Sequence, residues 1–78
     1  MTTRYILDVR SSTEYAMGHK SDAVNFDVQR LASGELPNIP KDAPIEVYCA
    51  SGARSRMATH ILSMHGFTNV IDTGGYNG

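Results

Sequence analysis

A single cysteine in 78 residues leaves no partner for an internal disulfide and too few thiolates for a metal site built on sulfur. Long apolar runs are missing too. No stretch approaches the ~20 residues that cross a bilayer, and Met1-Thr2-Thr3-Arg4-Tyr5 lacks the apolar core of a signal peptide. The chain as given is therefore expected in the cytoplasm, or in the periplasm if a signal has been removed. Surplus charge of either sign is lacking: seven Lys and Arg stand against eight Asp and Glu, a net charge of −1. Nothing in that balance draws the molecule to nucleic acid or to an anionic membrane. Proline is confined to Pro37, Pro40 and Pro44, inside an aperiodic stretch from Gly34 that reads as a surface loop. No repeat, low-complexity tract or second domain is visible, so residues 1–78 read as one domain. A chain of this size buries only about 60–65% of its unfolded surface, and its core must be small.

What is present centres on Val47-Tyr48-Cys49-Ala50-Ser51-Gly52-Ala53-Arg54-Ser55. An apolar, β-branched segment, Ile45 to Tyr48, precedes it with the length of a buried strand. After it, Met57, Ala58, Ile61, Leu62 and Met64 follow near-helical spacing from Ser55 to His65. The cysteine thus falls at a strand-to-helix turn. The small residues Ala50, Ser51, Gly52 and Ala53 let the backbone curl so that several N–H groups converge on one point. A helix beginning near Arg54 turns its unpaired N–H groups and positive dipole end toward the same place, and Arg54 is expected to add a full charge there. Such a setting lowers a thiol pKa from about 8.5 and makes a nucleophile. A lone cysteine is more commonly a small buried hydrophobe, but a packing cysteine has no use for small residues ending in arginine and serine at a helix start.

In chain order, Tyr5 to Val9 reads as a buried strand, and Ser12 or Thr13 as the cap of a short helix over Glu14 to Met17, ended by Gly18. Ala23 to Phe26 reads as a short strand, Val28 to Leu31 as a helical turn or two, and Val70 to Asp72 as a last strand entered through Gly66. Gly74-Gly75 reads as a tight turn bringing backbone near the cysteine loop. The order strand–helix–strand–helix–strand–helix–strand predicts an α/β fold with parallel strands and right-handed crossovers. A ligand then belongs at the carboxyl ends of the strands, where Cys49, Asp8 and Gly74-Gly75 lie. Asp8 is expected to hydrogen-bond near the cysteine loop, and Arg10 to pair with Glu14, four residues on. His60 and His65 are five apart, about 500° around a helix, and face different ways. A two-histidine metal site wants a spacing of four, so no metal is expected.

Cys49-Ala50-Ser51-Gly52-Ala53-Arg54-Ser55 resembles the active-site loop of the rhodanese family, C-x-x-G-x-R-S, most closely that of small single-domain thiosulfate sulfurtransferases of the phage-shock type. Asp8-Val9-Arg10, Glu14-Tyr15, Gly18-His19 and Ala23-Val24-Asn25 are similar to the family's amino-terminal signature. Gly66-Phe67, Asn69-Val70 and Gly74-Gly75-Tyr76 are similar to its closing pattern. Lys20 and Asp22 depart from it, standing where isoleucine and glycine are usual. Asp22 must then take a turn conformation that glycine reaches at less cost. The sequence given ends at Gly78, where the family commonly continues into a last helix, so some sheet surface is expected to lie uncovered.

The resemblance implies a small three-layer domain with a central, mostly parallel sheet of four to five strands flanked by helices. It implies a sulfurtransferase that carries sulfur as a persulfide on Cys49, with Ala50, Ser51, Gly52, Ala53, Arg54 and Ser55 binding the donor and Asp8 and Arg10 bracing the site. His19 is implied to be structural. The expected donor is a small anion such as thiosulfate, and the acceptor is cyanide or a thiol, including a protein thiol. No cofactor is expected, and a monomer is. Two alternatives remain open at this point. Phosphatases of the rhodanese-like cell-cycle class, and arsenate reductases on the same scaffold, need room for a tetrahedral anion. The phosphatases place one more residue between cysteine and arginine than this loop does. A non-catalytic binding module is the other alternative, since fold does not establish function.

Overall fold

Alternation along the apolar strands decides what each side buries. On the strand Ile45–Cys49 the side chains of Ile45, Val47 and Cys49 enter one hydrophobic cluster with Leu7, Val9, Ala58 and Leu62, while Tyr48 projects to the opposite face. The computed structural model describes residues 3–76. Its elements are β1 (Tyr5–Asp8), α1 (Ser12–Ala16), β2 (Ala23–Asn25), α2 (Val28–Ala32), β3 (Ile45–Cys49), α3 (Ala53–Met64) and β4 (Val70–Gly75). The sheet order is β2-β1-β3-β4, and every neighbouring pair is parallel. Right-handed crossovers in that order place α1 on one face and both α2 and α3 on the other. Accordingly α2 packs on α3, and α3 lies over β3 and β4. This is the small three-layer α/β arrangement expected, with four strands among the described residues.

Two local expectations are corrected. The cap of α1 is Ser11, not Ser12 or Thr13: its side chain accepts from the Glu14 N–H, and Glu14 reaches back to the Ser11 N–H. Only Ser11 stands three residues before a glutamate, as that reciprocal capping requires. Helix α3 starts at Ala53, next to Arg54 as expected, and Gly52 takes a left-handed φ of 106° that turns the chain straight from the loop into the helix. The double glycine is not a turn but the end of β4, reached through a bulge at which Asp72 pairs with Val47 and Gly74 with Tyr48. The extra residue, Thr73, bends the strand end toward the cysteine loop. Asp22 does adopt φ 66°, as its glycine-favouring position demands. Uncovered sheet surface is found at the edges, where Val24 on β2 and Ile71 on β4 are both more than half exposed.

Candidate active site at the end of β3

Cys49 ends β3, one of the two strands with neighbours on both sides, and its side chain has no exposed surface. Its sulfur sits beneath the turn formed by Ala50 to Gly52. The Gly52 N–H donates to Sγ at 2.9 Å, and Ser55 Oγ lies 3.6 Å from Sγ while donating to the Gly52 carbonyl at 3.1 Å. Ser55 reaches the sulfur because it lies in the first turn of α3 on the helix's buried side. Burial pushes the Cys49 thiol pKa up, but the Ser55 hydroxyl and the N–H groups of Ser55, Gly52 and Ser51 outweigh it, and the thiol is held below its ordinary value. The loop and helix start thus form the anion-favouring nest predicted.

Arg54 keeps the charge expected beside Cys49 but makes its hydrogen bonds elsewhere. Its guanidinium grips Glu14 with two bonds of 2.6 and 3.0 Å and not the sulfur. The carboxylate that caps α1 therefore also anchors the first turn of α3, and Arg54 together with Ser11 lowers the Glu14 pKa to about 2. Glu14 is consequently not the partner of Arg10. Arg10 turns back on its own strand: Nε and an Nη atom meet the Asp8 carboxylate at 3.0 and 2.7 Å, and the same Nη bonds the Gly18 carbonyl at 2.7 Å.

The brace behind the site is larger than Asp8 and Arg10. The Tyr48 hydroxyl donates to Asp8 at 2.8 Å and accepts from the Lys20 N–H at 3.0 Å. Arg10 lies 4.6 Å from the centre of the Tyr76 ring, and the Tyr76 N–H donates to the Cys49 carbonyl at 2.6 Å. Burial raises the Asp8 pKa, but bonds from Arg10 and Tyr48 overcome this and keep Asp8 ionised. Asp8 does not bond the loop itself. It reaches the loop through Tyr48, which directly precedes Cys49. His19 stacks on the Tyr15 ring at 3.6 Å and meets the Tyr15 carbonyl at 2.8 Å. It thus packs on α1. An apolar groove of about 430 Å³ between Tyr5, Val24, Leu36 and Ile39 takes no wall from residues 49–55.

A family signature described as the rhodanese-like domain matches residues 1–78. The chain belongs to the rhodanese-like domain family. Thiosulfate sulfurtransferase PspE of Escherichia coli is 33% identical over 70 residues, which cover 88% of this chain and 67% of PspE. A sulfurtransferase of Allochromatium vinosum is 34% identical over 70 residues, 90% of this chain and 64% of its own length. The adenylyltransferase and sulfurtransferase UBA4 of Saccharomyces cerevisiae is 37% identical over 81 residues, but this chain spans only 18% of its length. Among solved structures, human single-domain sulfurtransferase TSTD1 superposes with a TM-score of 0.85 at 25% identity, covering 95% of this chain and 78% of that one. An E. coli rhodanese solved with anions gives 0.82 at 30% identity, covering 96% and 89%.

Within this rhodanese-like domain the sequence reading missed Glu14 as the anchor of Arg54 and Tyr48 as the link from Asp8 to the cysteine strand. Glu14 carried a signal, since the spacing Ser11 to Glu14 marks a capping box and so a carboxylate fixed at a helix start. Nothing local could point it at Arg54, forty residues away.

Proposed function

We propose that this rhodanese-like domain is a sulfurtransferase that carries sulfane sulfur on Cys49, with thiosulfate or a similar small anion as donor and cyanide or a thiol as acceptor. The observation that carries the reading is the bonding at Cys49 Sγ: the Gly52 N–H donates to it, and the Ser55 hydroxyl, which accepts from the thiol and donates to the Gly52 carbonyl, turns its O–H to the sulfur once the thiol proton has left, so that thiolate is favoured. The Cys49 thiolate attacks the outer sulfur of thiosulfate. A bond forms between the two sulfurs, the bond to the sulfonate sulfur breaks, and its electron pair leaves with sulfite. The persulfide anion then lies against the same N–H groups. An acceptor thiolate or cyanide attacks the terminal sulfur, and the electron pair of the broken bond returns to Cys49.

Because Cys49 is the chain's one cysteine, the sulfur must pass to another molecule, and a protein thiol serves as well as a small one. The resting sulfur is fully covered, so the donor enters as the turn Ala50 to Gly52 yields. Small side chains keep that movement cheap. Arg54 is charged in its own right and, tied to Glu14, adds only a weakened field to the donor's approach without touching the sulfur. Four residues between Cys49 and Arg54, with the Gly52 N–H already on Sγ, suit a single sulfur atom better than a phosphate.

The test is an intact-mass measurement after incubation with thiosulfate. The wild type gains the mass of one sulfur atom, cyanide removes it, and Cys49→Ser gains nothing. An unmodified wild type, or a gain that survives Cys49→Ser, contradicts the assignment.

A further inference from the structure

At the carboxyl end of the sheet, to one side of the cysteine loop, the chain holds hydrogen-bond acceptors that none of its own donors satisfies. Ser12, Asn25, Asp27, Gln29, Arg30 and Glu35 line a polar pocket of about 400 Å³, a size that takes a small ligand. Asn25 gives Nδ2 to the Asp8 and Arg10 carbonyls at 3.1 and 2.9 Å, which fixes the amide and leaves Oδ1 as an acceptor with no donor among the described residues. One Asp27 oxygen accepts the Gln29 N–H at 2.9 Å in capping α2, while the other oxygen and the Ser12 hydroxyl meet no partner among those residues. Arg30 is paired with Glu35 at 3.1 Å, so the charge left over in the pocket is that of Asp27. Three acceptors and one negative charge complement an ammonium group, which has three donors and no acceptor. The pocket also lies within reach of the sulfur. Asn25 pairs with Asp8 and Asp8 with Tyr48, so two strand spacings of about 4.8 Å place it roughly 10 Å from the end of β3 where Cys49 stands. The Arg54 charge links the two places, since Glu14 first, then Cys49 and Asp27, raise its pKa.

We propose that this pocket holds the amino-terminal ammonium of the sulfur acceptor, which makes that acceptor a short peptide thiol with its cysteine two residues from a free amino terminus. The inference rests on the persulfide reading of Cys49 and names the class of molecule that unloads it. Reach sets the length: at about 3.5 Å per extended residue, two residues and a cysteine side chain span the gap from pocket to sulfur. A thiol whose amine sits on a neighbouring carbon is too short to fill both places. The peptide thiolate attacks the terminal sulfur of the Cys49 persulfide and forms a sulfur–sulfur bond with it. The bond to Cys49 Sγ breaks, its electron pair stays on Cys49 as thiolate, and the peptide leaves as its own persulfide. Cyanide carries no group for the pocket and needs none.

The test loads the full chain with sulfur from thiosulfate and follows, by mass, its loss to Gly-Gly-Cys or to N-acetyl-Gly-Gly-Cys, two peptides that differ only in the ammonium. At subsaturating peptide, Gly-Gly-Cys is expected to unload Cys49 about tenfold faster, a ratio that charge-assisted hydrogen bonds support. Asp27→Asn caps α2 as well as aspartate does and is expected to bring the ratio close to one. A wild-type ratio near one, or a ratio that survives Asp27→Asn, overturns the proposal. A second measurement needs no sulfur transfer: an amide NMR titration of the wild type with Gly-Gly-Ser and with its N-acetyl form. The free peptide is expected to shift the Ser12, Asn25 and Asp27 amides saturably and the acetylated one to leave them in place, whereas equal shifts, or none, refute the pocket. Should Asp27→Asn fail to fold, the wild-type ratio and this titration decide. A chain that takes no sulfur from thiosulfate yet passes the titration contradicts the persulfide reading and keeps the ammonium site.

Discussion

Asp8 is a carboxylate with no exposed surface, and it stays charged because Arg10 and Tyr48 supply what water would have supplied. Removing one member of a buried ion pair strands the other, at a cost of about 3–5 kcal/mol. Asp8→Ala leaves the buried Arg10 guanidinium without its counter-charge. Since small domains hold only about 5–15 kcal/mol in total, the urea midpoint should fall steeply. A midpoint unchanged from wild type would show that Arg10 is balanced elsewhere. This pair also shows how residue-level reading fails. Pairing Arg10 with Glu14 borrows the i,i+4 rule of helices, but Arg10 stands before α1, where the chain is still leaving a strand, so it folds back on Asp8 two residues earlier. The Cys49 loop was legible because its chemistry is local: small residues, a glycine and a helix start lie in one run of sequence.

At the scale of elements, two contacts hold the cysteine loop in place. One is the Glu14 clamp between α1 and α3. Its carboxyl pKa is lowered from 4.5 to about 2 by Arg54 and Ser11, so folding favours the ionised form. The resulting stability is full above the unfolded value near 4.5 and disappears as pH falls through about 2. Thermal melts of wild type and Glu14→Gln should therefore differ most above pH 5 and converge across that window. A gap that is constant with pH would assign the loss to the cap geometry and not to charge.

The other contact is backbone on backbone. A Cβ on Gly75 would run into the Ala50 carbonyl oxygen, well inside van der Waals contact. Gly75→Ala must push β4 away from the loop, and overpacking of this kind costs about 1–3 kcal/mol. Sulfur transfer should fall together with the urea midpoint. If both match wild type, the strand end is free to shift and does not position the loop. Element boundaries were less legible than element types, since the double glycine reads as a turn until the bulge at Thr73 carries β4 past it.

Across the whole molecule, the parallel sheet and the site's place at the strand ends followed from apolar runs separated by helical segments. Parallel strands require crossovers, and crossovers have one hand. What the sequence could not show were the long-range unions of Arg54 with Glu14 and of Tyr48 with Asp8, whereas the approach of the double glycine to the cysteine loop was legible. The two unions depend on which elements become neighbours in space, and no local spacing encodes that. They matter because they shift the source of thiolate stability. The guanidinium of Arg54 is spent on Glu14, and the nest of Ser55, Gly52 and Ser51 acts on the sulfur. The most direct measurement is the rate of Cys49 alkylation against pH for wild type, Ser55→Ala and Arg54→Ala. The account predicts a wild-type midpoint below the ~8.5 of a free cysteine, a clear rise in Ser55→Ala and a smaller one in Arg54→Ala. A wild-type midpoint at or above the free value, or a larger rise in Arg54→Ala than in Ser55→Ala, would contradict it.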